Sequence, residues 1–159
     1  MRPEPKSLKE AGEIYMRTYW PSLFTSGFEF TSTETPLYNC AAWANKIDTS
    51  RVDYSQDEEG NPQVDDYFYS LEPYIKYFEE HGFEICEDGN LEQGFEKIAI
   101  YKRGNDFKHA SRQLLNGKWT SKMGDFEDIV HDRPEDVEGY LYRQMTSGKV
   151  AFYMKRKKL

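Results

Sequence analysis

Long apolar runs, an excess of basic residues and an apolar leader are all missing from this 159-residue sequence. No apolar run approaches the roughly 20 residues that a membrane-spanning helix needs, so we expect no membrane partner. The formal net charge is −7. Because a nucleic-acid-binding surface needs a basic patch, this charge argues against nucleic acid as a partner. The absence of a signal-peptide core predicts a cytoplasmic protein.

Cysteine is also scarce, since Cys40 and Cys86 are the two in the chain. Two cysteines are too few for a disulfide scaffold, and in a reducing compartment both are expected to be free thiols. The cysteine and histidine spacings do not match a zinc site. The acidic run 57–59 lacks the alternation of a calcium-binding loop. We therefore predict neither a metal nor a cofactor.

Aromatic residues, by contrast, are abundant at 16%, with 12 tyrosines. A buried tyrosine needs a partner for its hydroxyl, so many of these side chains are expected to line a groove or lie half-exposed. The length fits one domain over 1–159. Helix signals concentrate in residues 1–82 and strand signals in 83–159.

Three stretches carry helix signals. A capping-box spacing before apolar residues at helical intervals predicts a helix over 8–19. Asn39 is a good N-cap residue for a short helix that begins at Cys40. Apolar residues on one face predict a third helix over 70–80, with Ser70 as its cap. The polar stretches between and after these helices are predicted loops, at 21–37, 48–66 and 124–138.

Alternating or continuous apolar residues predict the strands of the second part of the chain. These strands cover 83–86, 95–103, 107–115, 118–123 and 149–155. The basic run 155–158 is interpreted as a solubilising end to the last strand. Helices followed by a meander predict an α+β fold, with helices packed on one face of a four- to five-stranded, mostly antiparallel sheet.

The residues with the clearest chemical potential are Cys40 and His109. A thiol at a helix N-terminus is favoured as a thiolate, and a histidine within reach can act as its base. The Cys40 backbone N–H can contribute to an oxyanion hole. The sequence therefore predicts a Cys–His pair that hydrolyses an amide or an ester. His131 is the alternative base.

A third residue that orients His109 depends on the hairpin at Asn116-Gly117. A two-residue loop places Thr120 on the His109 face of the sheet. A three-residue loop with Gly117 in a bulge places Ser121 there instead. Two carboxylates beyond the strand are further alternatives, Asp125 and Asp128.

The run Tyr38-Asn39-Cys40-Ala41-Ala42-Trp43-Ala44, with Lys108-His109-Ala110 and the adjoining strand, resembles the core of papain-like cysteine hydrolases of the NlpC type. The resemblance implies Cys40 as nucleophile, His109 as base and Ser121 at the orienting position. The same run, with residues 109–114 and 119–124, also resembles an uncharacterised bacterial domain family over roughly 35–140.

Two functions are predicted from these observations. The first is a thiol hydrolase, a peptidase or amidase, that acts on a small peptide or amide. The second is a catalytically inactive binding or regulatory module of the same fold, with a protein partner. The residues assigned to the site, besides Cys40, His109 and Ser121, are three oxyanion or orienting candidates (Asn39, Thr120 and Asp125) and three groove candidates (Tyr38, Trp43 and Trp119).

Overall fold

The computed structural model describes residues 14, 16, 18–54, 70–139 and 148–159. An antiparallel sheet dominates this part of the chain, and short helices connect and cover it. The helices are α1 (Leu23–Ser26), α2 (Cys40–Ala44), α3 (Leu71–Glu80) and a 3-10 helix (Pro134–Val137). The strands are β1 (Phe28–Phe30), β2 (Glu84–Cys86), β3 (Phe95–Arg103), β4 (Asp106–Gln113), β5 (Trp119–Lys122), β6 (Asp128–His131) and β7 (Lys149–Lys157).

The seven strands form one sheet in the order β1-β6-β5-β4-β3-β7-β2, and every neighbouring pair is antiparallel. The predicted α+β class and antiparallel sheet are confirmed, but the predicted count of four to five strands is wrong. Strand β6 lies inside the stretch predicted as the loop 124–138. It has only a short apolar core, Ile129-Val130, and it becomes a strand by pairing with β1 on one side and β5 on the other.

The hairpin between β4 and β5 has the three-residue loop. Gln113 pairs with Trp119, and the Leu114 N–H donates to the Lys118 carbonyl oxygen at 2.7 Å. Gly117 has a φ of +88°, a conformation that L side chains rarely adopt. Of the two predicted registers, this is the one that places Ser121 on the His109 face.

Each face of the sheet carries its own apolar core. Successive residues of a strand point to opposite faces, so neighbours in β3 and β4 contribute to different cores. Helices α2 and α3 cover one face, called here the helix face, whose core includes Ile98, Ile100 and Ala110. The other face, called here the far face, includes Ala99 and Tyr101 in its core. Because α1 and the 3-10 helix also contribute to this core, the prediction that the helices pack on one face of the sheet is wrong.

The predicted helices at α2 and α3 are confirmed. Asn39 caps α2, because its side-chain oxygen accepts from the Ala42 N–H. Ser70 makes no side-chain cap to α3, so that detail of the prediction is wrong. Most of the predicted helix 8–19, and the predicted loop 48–66 from residue 55 onward, lie outside the described residues. In the described ranges, no helix has the length and apolar character to cross a bilayer.

Candidate functional site

Cys40 lies on the helix face of the sheet. It begins α2 and packs against the core that contains Ala110, with its thiol against the Ala110 backbone. Burial raises the pKa of this thiol to about 11, and the Ala110 backbone only partly opposes that rise. Cys40 is therefore a protonated thiol at neutral pH, although it occupies the predicted helix start.

His109 lies on the far face. Its ring makes an edge contact with Tyr101, with 5.0 Å between ring centroids, and Tyr101 belongs to the far-face core. The side chain is 3% exposed, and its Nε2 has no hydrogen-bond partner among the described residues. Burial lowers the pKa of His109 to about 3, so the ring is neutral near pH 7.

The predicted Cys40–His109–Ser121 triad is therefore not assembled. Ala110, which meets Cys40, follows His109 directly in β4, and the pleat sends these two side chains to opposite sides of the sheet. The thiol and the imidazole have the backbone of β4 between them. The predicted site is wrong because the side chains of β4 alternate between the two faces. Helix α2 and strand β4 themselves form close to where the sequence predicted them.

Ser121 contacts a different histidine. Its Oγ lies 2.8 Å from His131 Nε2, and His131 Nδ1 lies 2.8 Å from the Arg133 carbonyl oxygen. With Nδ1–H donating to that carbonyl, Nε2 accepts from the Ser121 hydroxyl. Ser121 is fully buried and His131 is 1% exposed, so this pair is a satisfied buried network. Burial lowers the pKa of His131.

The predicted oxyanion and orienting candidates are engaged in structural hydrogen bonds. Asn39 holds α2 to the following segment, because its side chain donates to the Val52 carbonyl oxygen and accepts from the Val52 N–H. The Thr120 hydroxyl accepts from Trp43 Nε1 at 3.0 Å on the helix face. Asp125 is exposed and accepts from an Arg51 guanidinium N–H.

The three predicted groove residues have separate environments. Trp119 is buried on the far face. The Tyr38 hydroxyl donates to Asp128 at 2.6 Å, and burial together with this carboxylate raises the pKa of Tyr38 to about 12. Burial also raises the pKa of Asp128. Trp43 is half-buried and packs 5.4 Å from Tyr38, measured between ring centroids.

An open groove lies at one end of the sheet, at the start of β3 and the ends of β4 and β7. Its volume is about 900 Å³, near the upper end of the usual range for ligand pockets. We call it the basic groove, because among the described residues that line it five are cationic and one is a carboxylate. These charged residues are Lys46, Arg112, Arg156, Lys157, Lys158 and Glu96.

Glu96 forms salt bridges with two of the five cations. Its carboxylate lies 2.6 Å from the Lys46 ammonium and 2.6 Å from Arg156 Nε. These contacts lower the pKa of Glu96 against the effect of its own burial. Among the described residues, no carboxylate lies within 4 Å of Arg112, Lys157 or Lys158.

Arg112 is the half-buried cation of the groove. Its guanidinium carbon lies 4.9 Å from the centre of the Trp43 ring, and its Nε donates to the Trp43 carbonyl oxygen at 3.3 Å. Its two terminal nitrogens make no hydrogen bond with any described residue. Burial lowers the pKa of Arg112, and the charges of Glu96 and Asp128 partly oppose that effect without contacting the guanidinium.

Leucines form the apolar part of the lining of the basic groove, called here the leucine wall. Leu91 is 56% exposed and Leu115 is 82% exposed, while Leu114 is half-buried. Phe95 also lines the groove. The groove therefore presents both cationic and apolar side chains to the same ligand.

Sequence reasoning missed this groove. The local signal is the basic run 155–158, whose simplest interpretation is a solubilising strand end. Arg112 carries no signal, since one arginine among alternating polar residues of a strand is ordinary. The described residues hold no cluster of histidine, cysteine and acidic side chains that could bind a metal ion.

The sheet and groove define an α+β protein with a ligand-sized, cationic groove at one end of an antiparallel sheet. The chain belongs to a family described as a domain of unknown function, DUF7689, whose model matches residues 29–155. No curated protein and no solved structure gives a significant match. The resemblance to NlpC-type hydrolases stays a prediction.

Proposed function

We propose that this protein is a non-catalytic binding module whose basic groove holds an acidic segment of a partner protein. The observation that carries the proposal is Arg112, a half-buried cation that lines an open groove and makes no salt bridge with any carboxylate in the described part of the chain. An unpaired, partly desolvated charge is costly in the free protein. A ligand carboxylate offsets that cost.

The charge distribution supports the same function. The whole chain is acidic, with a formal net charge of −7, yet the described lining of the groove has four more cationic than anionic side chains (five minus one). Such a local reversal of sign attracts an anionic segment and disfavours approach through the rest of the surface. The leucine wall supplies apolar contact for neighbouring side chains of that segment.

A binding titration tests this function. A short fluorescent peptide rich in Glu, with two Leu, should bind, and a peptide with Lys at the Glu positions should not. Charge reversal at the groove, with Lys157→Glu and Lys158→Glu together, should weaken binding by an order of magnitude or more. Raising the salt concentration should weaken it as well.

A matched control reverses the same number of charges elsewhere. Lys102→Glu with Arg103→Glu changes the net charge equally at the other end of β3, away from Glu96. This control variant should retain most of the wild-type affinity for the Glu-rich peptide. Equal losses in the two double variants, or no binding of the Glu peptide by the wild type, would overturn the proposal.

The thiol-hydrolase function, on a papain-like NlpC-type core, stays a prediction without support from the site. Hydrolysis needs the His109 side chain on the face of the sheet that α2 and Cys40 cover. It also needs a thiol that ionises near neutral pH. We therefore put forward the binding module, the alternative that does not depend on either condition.

A further inference from the structure

We infer that Arg112, stacked on Trp43, is the specificity-determining residue of the basic groove, and that it binds one Asp or Glu side chain next to an apolar residue of the partner. This inference rests on the proposed function and deepens it. It gives the ligand a chemical class, a carboxylate, and it assigns the contact with that carboxylate to Arg112.

The geometry leaves the hydrogen-bonding end of Arg112 available. Its Nε is committed to the Trp43 carbonyl oxygen, and its guanidinium carbon lies over the indole ring. These two contacts hold the side chain in place. The terminal nitrogens form no hydrogen bond with any residue that the structure describes. A held guanidinium with free terminal N–H groups is suited to two parallel bonds to a carboxylate.

The neighbouring charges favour a carboxylate over a phosphate. A phosphate that carries nearly two charges is best bound by more than one cation. The closest competitors in the groove, Lys46 and Arg156, already share Glu96 at 2.6 Å each. Lys157 and Lys158 also line the groove, but both are exposed, so Arg112 is the one half-buried cation of the described lining without a carboxylate contact, and its fork matches a single negative charge.

The position of the leucines determines which residue type fits beside the carboxylate. Leu114 lies two residues after Arg112 in the chain, and it lines the groove together with Leu91 and Leu115. An extended peptide that places a carboxylate on Arg112 brings a nearby side chain against this apolar wall. The recognised feature is therefore an acidic residue beside an aliphatic one.

A cycle of protein and peptide variants tests the contact. Each Glu of the binding peptide is replaced in turn by Gln, and binding is measured with wild-type protein and with Arg112→Lys, which keeps the charge and loses the fork. One Glu should matter most for the wild type, with a loss of about tenfold, and its replacement should have little further effect on Arg112→Lys. Lys157→Arg serves as the control and should preserve the full effect of that Glu.

The outcomes separate the two proposals. Binding that is weakened by salt and by groove charge reversal, but is unchanged by Arg112→Lys, would overturn the role of Arg112 and leave the binding module standing. Absence of binding would remove both. A phosphoserine peptide that binds better than the Glu peptide would overturn the carboxylate assignment. Thermal unfolding and near-ultraviolet circular dichroism of Arg112→Lys check that it is folded, and Arg112→Gln provides a second variant.

Discussion

Glu96 lies 2.6 Å from the Lys46 ammonium, and the same carboxylate forms a salt bridge with Arg156, which also lines the basic groove. Arg156 is also tied to Asn45, because its Nη1 donates to the Asn45 side-chain oxygen at 2.7 Å. The carboxylate therefore competes with any anionic ligand for these two cations.

The first prediction is that Glu96→Gln increases the affinity for an acidic peptide. Removing one negative charge near the ligand contributes roughly 1 kcal/mol at about 4 Å in water, which corresponds to about a fivefold increase. Isothermal titration at low salt measures it. Because the partners of Glu96 lose a charged contact, the thermal midpoint should fall slightly. A variant that binds more weakly while remaining folded would contradict the competition between Glu96 and the ligand.

The second prediction concerns thiol reactivity. The pKa of Cys40 is raised to about 11, so at pH 8 only about one thiol in a thousand is ionised. Burial also raises the pKa of Cys86. Cys86, however, lines a small open cavity at the sheet edge with Lys97 and Lys155, whose charges favour its thiolate. Iodoacetamide should therefore label Cys86 faster than Cys40, as followed by mass spectrometry of digested protein.

The control for this labelling is His109→Ala. Since β4 separates His109 from Cys40, this variant should leave the pH dependence of Cys40 labelling in folded protein unchanged. A clear rise in the Cys40 pKa on removal of His109 would show that the two side chains interact, and it would restore the hydrolase prediction.

The third prediction is acid destabilisation through His109. The folded-state pKa is about 3 and the ordinary value is 6.5, so the unfolded chain binds the proton first as the pH falls. The contribution of the neutral ring to the free energy of unfolding is fully present above pH 6.5, and it is lost progressively between pH 6.5 and about 3. From pH 6.5 to 5 this single site should lower the free energy of unfolding by about 2 kcal/mol.

His109→Leu provides the comparison, with urea unfolding measured at pH 7 and pH 5. The variant should lose less stability between the two values than the wild type. At pH 7 it should be at least as stable, since it removes a buried nitrogen that has no partner among the described residues. An unchanged pH dependence in His109→Leu would contradict a neutral, buried His109.

The fourth prediction compares two buried serines. Ser121→Ala leaves His131 Nε2 buried without its partner and should cost about 1–3 kcal/mol in the free energy of unfolding. Ser111→Ala should cost less, because the Tyr101 hydroxyl that contacts Ser111 still donates to the Pro134 carbonyl oxygen at 2.6 Å. Urea unfolding at pH 7 measures both. Equal losses in the free energy of unfolding would show that the Ser121–His131 hydrogen bond stabilises the fold no more than the Ser111–Tyr101 contact does.

Much of the local structure could be predicted from residues close together in the chain. Asn39 as a cap, the helix that begins at Cys40 and strand β3 were all predicted with correct or nearly correct bounds. These features depend on side chains that contact their own neighbouring backbone or alternate along a strand. Strand β6 was missed because its stability comes from β1 and β5, which lie on either side of it.

The candidate site was predicted less well than the fold. Two hairpin registers were left open at Asn116-Gly117, and the structure has the one that puts Ser121 on the His109 face. That register does not produce a triad, because α2 packs on the Ala110 side of β4. Which face a helix covers depends on the packing of the whole sheet, and no residue near Cys40 determines it.

By itself, the sequence determined the acidic character of the chain, the α+β class, the antiparallel pairing and the start of α2 at Cys40. Only the tertiary structure decided that Cys40 and His109 lie on opposite faces, and that Lys46, Arg112 and Arg156 line one groove. The physical reason is the range of the interactions involved. Caps, turns and alternation act over a few residues, whereas the faces of the sheet and the charges of the groove depend on segments that meet only when the chain folds.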